Sequence, residues 1–300
     1  EARKPLGVAV LLDESDSMEE SDPGRVRLQT TGLFARLFGG AGEITVLGFS
    51  GTTRELPLED TELACSSAPV LRSQKTSPRA GQYTNIERAI RRARDELLQQ
   101  DFKTVKPRRA ILLLTDGQVD LGDVKADRIS RESLRGPVAA DLIEKGIVVY
   151  AIAFSAQAER ALLEYLAHMT GGFCLSANRF SELPELFIRV YEELTEPQSI
   201  PIRQGQALVD EEVREATFLI PRPKAARQTH LVRPDGSRIS QGIHGEGNQW
   251  EVLPGYDLVQ ISQPMAGVWS VEPPPEGAIP RLYVQSDLAV YPREVPSVMV

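Results

Sequence analysis

The 300-residue chain is 41% hydrophobic, 25% charged and 6% aromatic, enough apolar material for a sizeable core. Disorder and collagen-like repetition are excluded. Its 42 acidic residues outnumber 34 basic ones, for a net charge of -8. Without a basic footprint to hold a phosphate backbone, nucleic acid is not an expected partner. At this length one core stops growing, and 13 of the 21 prolines fall after residue 196. Two domains are therefore expected, residues 1–196 and 197–300.

In chain order, LGVAVLL (6–12), EITVLGF (43–49), RAILLLT (109–115) and IVVYAIAF (147–154) read as strands. Their apolarity is continuous rather than alternating, the mark of strands buried on both faces in a parallel sheet. Helical stripes fall between and after them. Val26, Leu33, Phe34 and Leu37 form one, Ile86, Ile90, Ala93 and Leu97 a second, and Leu183, Leu186, Phe187, Val190 and Leu194 a last helix with Ser181 as its N-cap. This alternation predicts an α/β doubly wound open sheet, mostly parallel, which binds ligands beyond the carboxyl ends of its strands.

Beyond residue 196 the helical stripe gives way to short strand candidates at 215–221, 228–234, 249–253, 256–262, 267–272 and 281–287. Turn signals at Pro234-Asp235-Gly236, Pro254-Gly255 and Ala266-Gly267 separate them and predict an all-β sandwich domain. No apolar run reaches membrane-spanning length. The chain starts at Glu1 without methionine, so a leader or membrane anchor is expected only outside it. Cys65 and Cys174 permit one bridge or two separate thiols.

Three loops are predicted to converge at one sheet edge. The first strand runs into Asp13-Glu14-Ser15-Asp16-Ser17, the third into Asp116-Gly117, and Gly81-Gln82-Tyr83-Thr84-Asn85 opens onto a helix. Asp13, Ser15, Ser17, Thr84 and Asp116 thus offer two carboxylates and three hydroxyls. Such an all-oxygen donor set suits Mg2+, or Ca2+ and Mn2+, and discriminates poorly for zinc or copper.

DxSxS after a first strand, a threonine ahead of a helix and TDG after a central strand resemble the metal-ion-dependent adhesion site of von Willebrand factor A domains. The resemblance covers residues 5–195 and implies that Ser15, Ser17 and Thr84 bind the ion through hydroxyls, with Asp13 and Asp116 binding directly or through water. It also implies that the ion takes a carboxylate from the Asp or Glu of a protein partner. Where that family usually carries glycine between the two serines, this chain has Asp16, and six of the ten residues Asp13 to Asp22 are acidic. One reading is that Asp16 adopts a left-handed turn conformation that aspartate tolerates and that its neighbours solvate a loop. In the other, Glu14 and Asp16 are accessory acids that tighten the cation site.

The second domain, through ATFLIP, LVRPDG and the spacing of Pro264, Gly267 and Trp269, is similar to the β domain that follows the A domain in hemicentins, chloride-channel regulators and bacterial relatives. Trp269 is expected in its core. Those relatives imply an extracytoplasmic location. Against catalysis stand the absence of HExxH around His168, His230 and His244, and Ser15 where a haloacid-dehalogenase-like phosphotransferase needs aspartate. The expected function is a divalent-cation-dependent protein-binding module and no enzyme. The alternatives are a hydrolase using the acidic cluster and a cytoplasmic partner of a separate ATPase, since no phosphate-binding GxxxxGK[ST] loop occurs in the chain.

Overall fold

Leucine, valine and alanine fill the first strand, β1 (Leu6–Asp13), and every one of its residues is buried. The computed structural model describes residues 5–38, 42–57, 81–100, 102, 107–155, 158–222, 229–242, 247–253, 255–274 and 279–286. The chain divides into two units, Glu1–Glu196 and Pro197–Val300. In the first, β1 pairs in parallel with β2 (Gly42–Phe49) on one side and with β4 (Arg108–Thr115) on the other. The sheet continues through β5 (Ile147–Phe154) and β6 (Cys174–Ala177), both parallel, while β3 (Thr53–Glu55) adds an antiparallel edge to β2. The strand order is β3-β2-β1-β4-β5-β6.

Seven described helices accompany this sheet: α1 (Ser17–Ser21), α2 (Val26–Phe38), α3 (Ile86–Gln99), α4 (Val124–Ser133), α5 (Ala139–Glu144), α6 (Arg160–Met169) and α7 (Leu183–Thr195). Ile86, Ile90 and Leu97 of α3, Leu142 of α5, and Leu162 and Leu166 of α6 share one apolar cluster with Ala9, Leu11, Ile111 and Leu113. The alternate residues Val8, Val10 and Leu12 are equally buried, so β1 has no solvent face. α2 and α7 pack together, with Phe34 and Phe187 edge to face at 6.0 Å between ring centroids.

The predicted N-cap of the last helix is corrected. Ser181 lies inside a short 3-10 turn, Phe180–Glu182, and α7 begins at Leu183 without a side-chain cap, Pro184 occupying its first turn. Proline in the first turn sacrifices no intrahelical bond, because the N–H it lacks has no partner there. Cys174 opens β6 half-buried, and burial pushes its thiol up to about 11. Cys65 lies outside the described residues.

The second unit contains two antiparallel sheets. One holds β11 (Arg238–Ile239), β10 (His230–Val232), β14 (Gly267–Glu272) and β8 (Gln206–Val209) in that order. The other holds β12 (Asn248–Leu253), β13 (Tyr256–Ser262), β9 (Val213–Pro221), β15 (Arg281–Ser286) and β7 (Gln198–Ile200). Residues of both sheets, among them Ala207, Phe218, Ile220, Leu231, Val259, Trp269 and Leu282, form one core. Trp269 is 1% exposed, donates from Nε1 to the carbonyl of Met265 at 2.8 Å, and stacks at a tilt 5.7 Å from Phe218.

One buried charge stands out in this unit. Asp257 on β13 is 4% exposed and its Oδ1 accepts no hydrogen bond, the Arg222 guanidinium lying 3.8 Å away. Burial raises its carboxyl above the usual aspartate range, with Arg222 and the Trp250 side chain opposing the shift. A carboxyl whose folded-state pKa is raised costs stability above that pKa and costs nothing below the unfolded-state value, where both states are protonated. Asp257→Asn is therefore expected to stabilise the second unit at pH 7 and to lose that advantage as the pH falls below 4. Urea unfolding followed by tryptophan fluorescence at the two pH values checks this. A less stable variant at pH 7 would mean that the interactions with Arg222 and Trp250 outweigh burial.

Candidate metal centre

The register of the sheet brings the first two loops side by side. Leu12 pairs with Leu114, so Asp13 and Thr115 end adjacent strands, and Asp116 follows one residue later. Asp13 is fully buried; its Oδ1 accepts the backbone N–H of Ser15 at 2.8 Å and its Oδ2 accepts the Thr115 hydroxyl at 2.5 Å. The chain then turns into α1, whose first residue is Ser17. Ser15 Oγ and Ser17 Oγ lie 3.0 Å apart, and Ser17 Oγ donates to Asp116 Oδ1 at 2.7 Å. Four of the five predicted donors are thereby joined in one hydrogen-bonded chain.

Thr84 comes from the third loop. Its N–H donates to the Asp120 carbonyl at 2.8 Å and its carbonyl accepts the Asp120 N–H at 3.1 Å, which ties this loop to the one after β4. Asn85 then caps α3, its side chain accepting from the Arg88 N–H at 2.9 Å. Thr84 is 5% exposed and Asp116 3%. Gly117 measures the space between the donors: a Cβ there would stand 3.3 Å from Thr84 Oγ1 and 3.9 Å from Asp13 Oδ2. All five predicted residues therefore converge at the carboxyl edge of the sheet.

The electrostatics of this cluster favour a cation. Burial pushes the Asp13 carboxyl up to about 6 against hydrogen bonds from Ser15 and Thr115, and the like charge of Asp116 adds to the rise. Two acidic groups in a poorly solvated site repel each other until a positive charge compensates them. Among the described residues there is no group of three or more His, Cys, Asp or Glu placed to hold a metal. The donors are thus hydroxyls as much as carboxylates, and such a hard, all-oxygen set fits magnesium, calcium or manganese.

The acidic decade is less concentrated than its sequence implies. Glu14 forms a two-pronged pair with Arg54 of β3, at 3.0 and 2.8 Å. Asp22, 1% exposed, accepts the N–H groups of Val26 and Arg27 at 2.8 and 3.1 Å and pairs with the Arg27 guanidinium at 2.9 Å. The left-handed conformation expected of Asp16 is corrected: its φ of -60° and ψ of -26° are right-handed helical, because it leads directly into α1. Its N–H donates to the Gly81 carbonyl at 2.7 Å, and a Cβ on Gly81 would fall 2.0 Å from Asp16 Oδ1. Gly81 supplies the room that Asp16 occupies.

Three supports around the site were not predicted from sequence. Glu159 pairs with Arg131 at 2.8 Å and accepts the Val119 N–H at 3.2 Å, clamping the loop that follows Asp116. Ser155, held at φ 82°, donates its hydroxyl to the Asp116 carbonyl at 3.0 Å. Ser21 Oγ donates to Asp116 Oδ2. Only Ser21 left a signal in the sequence, four residues after Ser17 and hence on the same face of a helical turn.

Comparison with solved structures returns proximal thread matrix protein 1 from the mussel byssus, 20% identical over 71% of this chain and 51% of that one, TM-score 0.48. A von Willebrand factor type A protein from Catenulispora acidiphila is 15% identical over 95% of this chain and 59% of that one, TM-score 0.46. The pilus adhesin SpaC from Lactobacillus rhamnosus GG is 12% identical over 97% of this chain and 40% of that one, TM-score 0.46. The chain thus spans about half the length of the mussel and Catenulispora chains it matches. A search of curated proteins gives no match. The family model of the von Willebrand factor type A domain matches residues 8–189, from within β1 to the middle of α7. With that match over more than half its length, and with the sheet order and loop cluster described above, the chain belongs to the von Willebrand factor type A family.

Proposed function

We propose that residues 1–196 form a divalent-cation-dependent protein-binding module and that the chain has no catalytic role. The observation that carries this reading is the meeting of Asp13, Ser15, Ser17, Thr84 and Asp116 from three separate loops, with Ser17 bonded to both Ser15 and Asp116. Ser15, Ser17 and Thr84 hold the ion through hydroxyl oxygens, and Asp13 and Asp116 supply the compensating charge. Bound there, Mg2+, or Ca2+ or Mn2+ in its place, offers an electrostatic anchor to the carboxylate of an Asp or Glu on a partner protein. Thr115 fixes the orientation of Asp13, and the Asp120 bridge fixes Thr84. Asp16, on the rim opposite Gly81, adds negative potential that favours the cation, whereas the charge of Glu14 is already met by Arg54.

Residues 197–300 act as a β domain that carries or spaces the binding domain. Among the described residues no helix is long and apolar enough to cross a membrane. The family context supports an extracytoplasmic setting.

Calorimetric titration of the whole chain with MgCl2 tests the site. Saturable binding is expected, along with a stabilisation of about 2.7 kcal/mol when free Mg2+ reaches about one hundred times its dissociation constant. Asp116→Ala and Ser15→Ala should each abolish both effects while the ion-free far-UV circular dichroism stays that of the parent. Absence of binding to Mg2+, Ca2+ and Mn2+ alike would overturn the proposal.

A further inference from the structure

Ser21 closes α1, one helical turn beyond Ser17. Its Oγ is within hydrogen-bonding reach of the Ser17 carbonyl, at 3.1 Å, of Met18 Sδ, at 3.7 Å, and of Asp116 Oδ2. A serine hydroxyl has one proton to donate. The ionised carboxylate is the strongest of the three acceptors, so that proton goes to Asp116, which makes a charge-assisted bond. The Ser17 hydroxyl donates to the other oxygen of the same carboxylate. Both oxygens of Asp116 are therefore held by hydroxyls from a single five-residue helix.

This arrangement has a directional consequence. With its proton committed to Asp116 Oδ1, the Ser17 hydroxyl turns its lone pairs away from Asp116. Ser15 Oγ, 3.0 Å away, lies beside them. Asp116 in turn stays in the orientation that keeps Ser17 so aligned only while its second oxygen is fixed. Its backbone is pinned independently by Ser155, whose hydroxyl donates to the Asp116 carbonyl. Ser21 is the residue that fixes the side chain, and Met18, 1% exposed beneath it, holds the helix in place.

We infer that Ser21 is a positioning residue of the cation site, locking the Asp116 carboxylate so that Asp116 works as an outer anchor and orients Ser17 toward the ion. The inference rests on the proposed cation-binding function. Hydrogen-bonding partners of metal-site groups typically change metal affinity 10- to 100-fold when removed. Ser21 is outside the DxSxS, threonine and TDG elements, so nothing in that motif calls for it.

The test titrates the full chain with MgCl2 for the parent, Ser21→Ala and Ser21→Thr, and measures the ion-free melting temperature of each. Ser21→Ala is expected to weaken Mg2+ binding about 10-fold or more, with Ser21→Thr, which keeps a hydroxyl, restoring most of the loss. Equal Mg2+ affinity in the parent and Ser21→Ala overturns the role of Ser21 and leaves the site itself standing. So does a drop in ion-free melting temperature without a change in affinity, which marks a purely structural contact. If Ser21→Ala does not fold, Ser21→Thr matching the parent while Ser21→Val, of similar shape but without a donor, loses affinity supports the assignment. Ser21→Val binding Mg2+ like the parent then overturns it. No binding by the parent removes the site and the role together.

Discussion

Asp22→Ala is expected to destabilise the first unit by about 3–5 kcal/mol, the usual consequence of leaving one member of a buried ion pair without the other. Asp22 is 1% exposed and Arg27 8%, and the guanidinium Nε already lacks a hydrogen-bond acceptor. Removing the carboxylate strands the remaining charge in a site with no other described acid bonded to it. The substitution also deletes the cap of α2, since both oxygens of Asp22 accept N–H groups from the first residues of that helix. Asp22→Asn keeps one capping acceptor and loses the charge, so its effect should fall between parent and alanine. All the described helices lie in the first unit, which makes far-UV circular dichroism during urea unfolding the appropriate readout. A loss under about 1 kcal/mol would show that Arg27 finds water or another partner.

The second large effect is expected at Trp269. Trp269→Ala should cost about 3–5 kcal/mol through lost burial and the cavity left behind. The ring is nearly inaccessible, lies against Phe218 and donates to Met265, so one substitution removes packing and a hydrogen bond together. Trp269→Phe retains a ring in the core and should cost much less, about 1 kcal/mol for the lost donor plus the smaller volume. Both tryptophans of the chain, Trp250 and Trp269, lie in the second unit. Trp250 therefore remains as a fluorescence reporter in either variant. Far-UV dichroism and fluorescence together separate the unfolding of the two units, for which a single two-state midpoint has no defined meaning.

How far the sequence revealed this molecule depended on whether the determining interactions were local. β1, β4 and β5 announced themselves through apolar runs because strands covered on both faces need no polar residues there, whereas β2 opens on exposed Gly42 and Glu43 and is buried only from Val46 to Phe49. The edge strands β3 and β6 carry no such run. Thr53–Glu55 is polar, and Cys174–Ala177 is only partly buried, so neither had a pattern to find. α4 was hidden for the opposite reason: its apolar residues Val124 and Ile129 are 85% and 52% exposed, and a stripe facing the core is absent. Just beyond it the backbone passes through Gly136-Pro137 as one widened turn, Leu134–Val138, into α5.

At the candidate site the five donors were legible because each sits at the end of a recognisable strand or at the head of a recognisable helix. Their supports were not. Glu14 meets an arginine forty residues away and Arg131 meets Glu159 across two helices, distances over which sequence spacing carries no information. Asp16 departs from the left-handed expectation because a turn before a helix admits both left- and right-handed aspartate. What decided it was the contact with Gly81, a residue of another loop.

The central position of β1 also sets a schedule. Its neighbour β4 lies about a hundred residues downstream, Leu6 pairing with Arg108. At ribosomal rates of roughly 5–20 residues per second, β1 waits about 5–20 seconds for that partner to be made. During that interval an edge rich in leucine and valine, with unpaired backbone groups, is open to foreign strands. Asp13 and Asp116 come within reach of each other only at the end of it. A newly made chain can therefore gather the oxygens of its candidate ion site only after this apolar strand has been closed in, so ion binding, where it occurs, follows that hazard and does not relieve it.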